Sequence, residues 1–193
     1  MKFVHEPGQT PLDKNEAEGL IPGITLQSEL NDLEAANITA ARKWLDSARG
    51  VDPLSTAFLR KLHEKMLDKG WKWAGTYRTS EKNIGVAPET ISTRMEDLVR
   101  DVAVQIEYKA YDPDEIAARY HHRLTFIHPF PNGNGRHARL ATDLLLEKTL
   151  KRPPFTWGSA SGLPVEQVRK NYTDALQKAD AGDYGPLKAF VRS

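Results

Sequence analysis

Twelve consecutive residues, His128-Pro-Phe-Pro-Asn-Gly-Asn-Gly-Arg-His-Ala-Arg139, gather the side chains best suited to chemistry. Pro129 and Pro131 end the helical pattern before them, and a new helical pattern follows Gly135. A helix start leaves four backbone N–H groups without intrahelical partners, at the positive end of the helix dipole. Gly133 and Gly135 let such a backbone close around a ligand, so the loop can form a nest of amides for phosphate oxygens. Arg136 and Arg139 are three residues apart on one helix face, and guanidinium forks suit the outer phosphates of a nucleotide. His128 stands at the head of the loop, where an imidazole can take a proton from an incoming hydroxyl. Asn132 can offer an amide oxygen to a hard cation such as magnesium. The same spacing also suits a plain glycine-rich turn with solvent-facing arginines, and the residues alone leave the two readings level.

The elements that must position this loop are helical. Ser28 opens a pattern with Leu30, Leu33, Ala41, Trp44 and Leu45 on one stripe, stopped at Gly50. Asp52-Pro53 reads as a second start, with Phe58, Leu59, Leu62 and Met66 at helical spacing and Gly70 as the end. Residues 71–88 lose that period and, with Gly75, Gly85 and Pro88, predict a short β-hairpin or extended flap. Helical spacing returns at Ile91, Met95, Leu98, Val99, Val102 and Ile106. Asp112-Pro113-Asp114-Glu115 is a strong start for the helix that carries Ile116, Tyr120, Leu124 and Ile127 into the loop. Beyond the loop, Leu140, Leu144 and Leu145 lead to a break at Pro153-Pro154, and residues 164–191 hold two more helices. The fold expected is mainly α, a helical bundle with a small β-hairpin flap beside the loop. Residues 1–27 form an N-terminal arm and residues 28–193 the domain.

Length and composition narrow the classes. A chain of 193 residues with 39% apolar and 27% charged residues is one globular domain. Twenty-seven Lys and Arg nearly balance 26 Asp and Glu, so neither a nucleic-acid nor a membrane coat is expected. Zero Cys excludes disulfides, thiolate zinc sites and cysteine nucleophiles. No apolar run approaches the ~20 residues that cross a bilayer, and the start lacks a signal-peptide stretch, so the expected compartment is the cytoplasm.

Residues 128–139 resemble the signature of the Fic (filamentation induced by cAMP) family, His-x-Phe-x-(Asp/Glu)-Gly-Asn-Gly-Arg-x-x-Arg. His128, Phe130, Gly133, Asn134, Gly135, Arg136 and Arg139 match it. Gly75-Thr-Tyr-Arg78-Thr79 with Ile84-Gly85 resembles the family's flap, and Asn171-Tyr172 with Ala175-Leu176 its later helix. Thr10-Pro-Leu-Asp13 and Glu16-Ala-Glu-Gly-Leu20 are similar to the subfamily termed mobile mystery protein B, whose members are typically encoded beside a small helix-turn-helix protein.

The resemblance implies a protein adenylyltransferase that moves AMP from ATP, with Mg2+ or Mn2+, onto a Ser, Thr or Tyr hydroxyl of a target protein. It implies that His128 is the general base, that Gly133, Asn134 and Gly135 form the anion hole, and that Arg136 and Arg139 hold the β/γ and γ oxygens. Phe130 would anchor the loop in the core, and Tyr172 would lie against the adenine or in the core. The flap from Lys82 to Gly85 would hold the target segment by strand addition. Asn132 stands where the family has an acidic metal ligand, which implies weaker metal affinity. Relatives that transfer other phosphate-containing groups, and a scaffold that binds nucleotide or a partner without transfer, are the alternatives.

Many members also carry an inhibitory (Ser/Thr)-x-x-x-Glu-(Gly/Asn) segment whose glutamate pairs with the second arginine of the signature. Glu18-Gly19 resembles its end, although Lys14 stands at the Ser/Thr position. Thr25 and Glu29 have the spacing, but Leu30 follows. Glu18 approaching Arg139 is therefore the regulatory expectation. Two further readings are weaker. His121, His122, His128 and His137 suggest a zinc site but lack a standard ligand spacing. Lys148, Lys151 and Arg152 form a basic cluster without interleaved aromatics.

Overall fold

The computed structural model describes residues 13–21 and 27–193, through which run eight α-helices: α1 Lys14–Ala17, α2 Gln27–Ser47, α3 Thr56–Leu67, α4 Ile91–Glu107, α5 Pro113–Ile127, α6 Asn134–Leu144, α7 Val165–Asp180 and α8 Gly185–Val191. A turn of π-helix over Leu145–Leu150 prolongs α6. Residues 10–12 of the subfamily resemblance and Thr25 of the second inhibitory spacing lie outside the described residues.

α5 is central because both of its faces are apolar. Asp112 caps it by accepting from the Glu115 N–H at 3.0 Å, and Pro113 takes the first helical position, as the sequence predicts. Ile116, Tyr120, Leu124 and Ile127 pack into one core with α2, α3, α4 and α6. Ala117 and Ala118, too small to hold a neighbour away, let Phe155, α7 and α8 close a second core on the other side. The Tyr120 hydroxyl donates to the Pro53 carbonyl at 2.8 Å, which satisfies the polar atom of a fully buried ring.

Two boundaries differ from expectation. α3 starts at Thr56 rather than at Asp52-Pro53, because Asp52 caps a turn through the Leu54 N–H (3.0 Å) while Ser55 caps the helix through Phe58 (3.3 Å). The hairpin expected within 71–88 is not formed. Among the described residues the β pairing is an isolated bridge between Leu20 and Trp71, and residues 76–87 form an extended loop. Its backbone bonds are taken elsewhere. Arg78 N–H donates to Pro129 (2.9 Å) and Val86 N–H to Ile127 (3.4 Å), while the Arg78 guanidinium bridges the Ser80 and Val86 carbonyls across the loop. A guanidinium occupies the place where a ladder would run.

Candidate active site

His128 ends α5 in the left-handed region (φ 52, ψ 58), a turn forced because Pro129 bars its predecessor from continuing the helix. Its N–H still reaches Leu124 (3.3 Å), and its carbonyl accepts from Arg78 Nε at 2.7 Å. The side chain is buried and its ring bonds the Thr125 backbone. Burial first, then the positive charge of Arg78, pushes the imidazole down to about 4. The ring is therefore neutral at neutral pH and able to accept a proton. Gly85 (φ +99) presses its backbone against this residue, since a Cβ there would come within 2.7 Å of both His128 Cβ and the Arg78 guanidinium. The extended 76–87 loop thus lies directly over the candidate base.

The loop is fixed from beneath. Phe130 is fully buried, stacked on His63 with ring centroids 3.7 Å apart and met edge-on by His137 at 5.0 Å. Asn134 clamps its backbone, with Oδ1 accepting from the Phe130 N–H (2.9 Å) and Nδ2 donating to the Phe130 carbonyl (2.7 Å). Its side chain is thereby committed inward, and its backbone N–H faces the helix start. Gly133 (φ +77) sits where a Cβ would meet Leu67 at 2.8 Å. Helix geometry leaves the N–H groups of Asn134, Gly135 and Arg136 without intrahelical partners, and the space beside exposed Gly135 is open to 4 Å. That combination accepts an anion.

The arginines differ. Arg136 pairs with Glu34 of α2 at 2.5 Å, and the other Glu34 oxygen accepts from Trp71 Nε1 at 2.8 Å. Arg139 lies over the rings of Tyr172 (4.7 Å) and Trp157 (5.7 Å), and its buried Nε has no hydrogen-bond partner among the described residues. A desolvated guanidinium donor left open is suited to an incoming anion. Tyr172 is held by His121, 2.8 Å from its hydroxyl, and its ring is under Arg139. Trp157 is fixed by Asp143, whose carboxyl burial pushes up to about 6.

Glu18 is exposed in the turn after α1, and no hydrogen bond or ion pair joins it to Arg139 among the described residues. Among the described residues of the arm, the buried acid is Glu16. Asp13 and Glu16 cap each other's N–H groups (2.9 and 2.8 Å), and the Glu16 carboxylate holds Ser80 (2.7 Å) and Lys82 of the extended loop. The histidines are dispersed: His122 bonds Asp180 and Tyr184, and His137 bonds the Leu59 carbonyl. No group of three metal-ligating side chains occurs among the described residues. Lys151, in the basic cluster, closes on the Lys148 carbonyl at 2.8 Å.

For magnesium the fit is poor on the protein side. Asn132 Oδ1 is neutral and already accepts from the Gly133 N–H at 2.6 Å. Magnesium sites ordinarily use one or two carboxylates plus phosphates. An ion here would be held chiefly by a triphosphate.

Glu34, His63 and Trp157 escaped the sequence reading. His63 alone had a signal, since it shares the buried face of α3 with Leu59, Leu62 and Met66.

A helical domain here joins a neutral imidazole to an open helix N-terminus and to an arginine whose Nε is open, an arrangement that can accept an anion. The Fic/DOC family model matches residues 53–146, and the chain carries a Fic/DOC domain. Protein adenylyltransferase fic-1 of Caenorhabditis elegans is 31% identical over 180 residues, which cover 89% of this chain and 33% of that protein. The structure of Fic-1 from C. elegans matches with a TM-score of 0.69 at 28% identity, covering 92% of this chain and 52% of that one. The structure of BepC from Bartonella tribocorum with bound AMPPNP shares the fold, with a TM-score of 0.68 at 17% identity over 93% of this chain and 97% of that one. The chain spans about a third of the length of the curated relative it matches. No helix among the described residues is long and apolar enough to cross a membrane.

Proposed function

We propose that the chain is a protein adenylyltransferase that moves AMP from ATP to a Ser, Thr or Tyr hydroxyl of a target protein. The observation that carries this reading is a neutral, buried His128 at one end of a loop whose other end is the open N-terminus of α6. His128 accepts the hydroxyl proton as the hydroxyl oxygen forms its bond to the α-phosphorus. The bond from that phosphorus to the bridging oxygen breaks, and pyrophosphate leaves with the electron pair. Backbone N–H groups from 134 to 136 take up charge on the phosphates, and Arg139 meets the outermost one. A divalent ion arriving with ATP would neutralise the triphosphate, with Asn132 as its one side-chain contact from the loop. The 76–87 loop, from Lys82 to Gly85, serves as the flap that holds the target segment by main-chain hydrogen bonds. Tyr172 contributes by cradling Arg139, with the adenine near its edge. The subfamily resemblance adds a small helix-turn-helix protein as partner.

The test is incubation with cell lysate and ATP labelled separately at the α- and γ-phosphate. Covalent α-label on protein is the expected result. Label from the γ-position alone would mean phosphotransfer. ATP binding without label would favour the scaffold, the reading that neutral Asn132 and the occupied Arg136 support. Asn132→Asp should lower the magnesium concentration that half-saturates ATP binding about tenfold, by adding one charge at coordination distance. Equal magnesium dependence in both proteins would remove position 132 from the metal.

Two acids are candidates to restrain the site: Glu18 by resemblance, and Glu34 by its contact with Arg136. ATP must compete with Glu34 for a half-exposed guanidinium, a contact worth about 1 kcal/mol after screening. Glu34→Gln keeps a hydrogen bond to Trp71 and removes the charge, so it should tighten ATP binding about fivefold in calorimetry. Glu18→Gly, run beside it, reports on the arm. Unchanged affinity in Glu34→Gln would show that the pair orients Arg136 rather than restrains it.

A further inference from the structure

We propose that His63 is a positioning residue that sets the anion-accepting shape of the 128–136 loop; this rests on the adenylyltransferase reading only in taking ATP as the probe. The ring has one arrangement of protons that satisfies it. The Gly75 N–H donates to Nδ1 at 2.9 Å, so Nδ1 carries no proton. Nε2 therefore does, and it donates to the Asn132 carbonyl at 3.0 Å. Burial is complete and keeps the ring neutral, in line with a single tautomer.

Three elements meet at this one side chain. It belongs to α3, Gly75 is the root of the extended loop, and Asn132 is the residue before the left-handed Gly133. Orienting the Asn132 carbonyl fixes the peptide plane between Asn132 and Gly133, because the two share one planar unit. The N–H of that same plane is held by Asn132 Oδ1. The next plane begins the run of free N–H groups from Asn134 to Arg136, so the direction of the nest follows from the grip on Asn132. The stack on Phe130 holds the ring itself in register at 3.7 Å with a 14° tilt. The ring also borders Gly133, with Nε2 3.5 Å from where a Cβ there would stand, an ordinary contact distance. His63 touches neither phosphate nor reacting atoms, and acts through Asn132.

Two variants separate positioning from packing. His63→Phe keeps an aromatic ring against Phe130 and removes both polar contacts. His63→Gln returns a donor near the Nε2 position. ATP affinity, measured by calorimetry on variants shown folded by circular dichroism, should weaken about tenfold in His63→Phe and recover to within about threefold of wild type in His63→Gln. The amide resonances of Gly133 to Arg136 should move in His63→Phe without nucleotide. Wild-type affinity in folded His63→Phe overturns the proposal, whatever its melting temperature. Equal losses in both variants overturn it as well, because a packing role gives no reason for rescue. If the wild-type protein binds no ATP, the adenylyltransferase reading fails. The amide shifts alone then decide the proposal, and unmoved resonances in His63→Phe sink it.

Discussion

His128→Ala should cut transfer of α-label from ATP by about 10²–10⁴-fold while leaving ATP affinity within a factor of about two. The asymmetry follows from geometry. In the proposed reaction the phosphates would meet the start of α6 and Arg139, whereas the His128 ring would face the attacking hydroxyl. The pH profile carries a second signature. The free imidazole is pushed to about 4, so it is neutral above that value and protonated below it. A protonated ring accepts no proton, so kcat/KM should fall as pH drops through about 4. With nucleotide bound, phosphate charge favours the imidazolium, and the acid limb in kcat should lie higher. Transfer rates between pH 4 and 8 check both. An Ala variant with wild-type rate would take the base role from His128, and a kcat/KM limb at or above neutrality would contradict the buried environment.

The second large effect belongs to Arg78, whose buried guanidinium has, among the described residues, only main-chain carbonyls as hydrogen-bond acceptors. Those carbonyls come from His128, Ser80 and Val86, with Ile127 at 3.5 Å. Two of them are the last carbonyls of α5, where a cation also complements the helix dipole. Arg78→Met removes the charge and the donors together and leaves buried carbonyls unmet. The expected loss is about 3–5 kcal/mol, a fall in melting temperature on the order of 10 °C. Arg100→Met is the control, because Arg100 makes an exposed i,i+3 pair with Asp97. Its melting temperature should stay within about 2 °C. An Arg78→Met protein that melts with the control would show that the loop and α5 are joined by other contacts.

What could be read in the sequence were the local features. The α5 start, with its Asp cap and first-position Pro, needs only four adjacent residues. The periodic stripes of α2 and α4 also need no distant partner. Asp52-Pro53 misled because it carries the same two signals as Asp112-Pro113, yet Ser55 offers a second cap three residues on. The Asp13 to Glu16 capping box has its proper spacing in the sequence, within the stretch assigned to the N-terminal arm. In the candidate site, the motif alone marks His128, the glycines and the arginines. Glu34 had no such signal, since its partner Arg136 is 102 residues away and an acid on α2 is ordinary on a surface. Asn134 is marked by the motif alone, and its clamp on Phe130 appears only when the turn closes. The hairpin failed for a comparable reason, because Arg78 satisfies carbonyls that a strand would have used.

The left-handed backbone of His128 sets stability against reactivity at a single position. Such a helix end is most comfortable with glycine, and a residue with a Cβ forgoes about 1 kcal/mol by comparison. Every drift towards an easier backbone there would discard the proposed base, so on the adenylyltransferase reading a gain in stability at that position costs transfer. Stabilisation by consensus or by selection for abundance should therefore leave residue 128 fixed by hand, and look for its gains in the helices that carry the loop rather than in the turn itself.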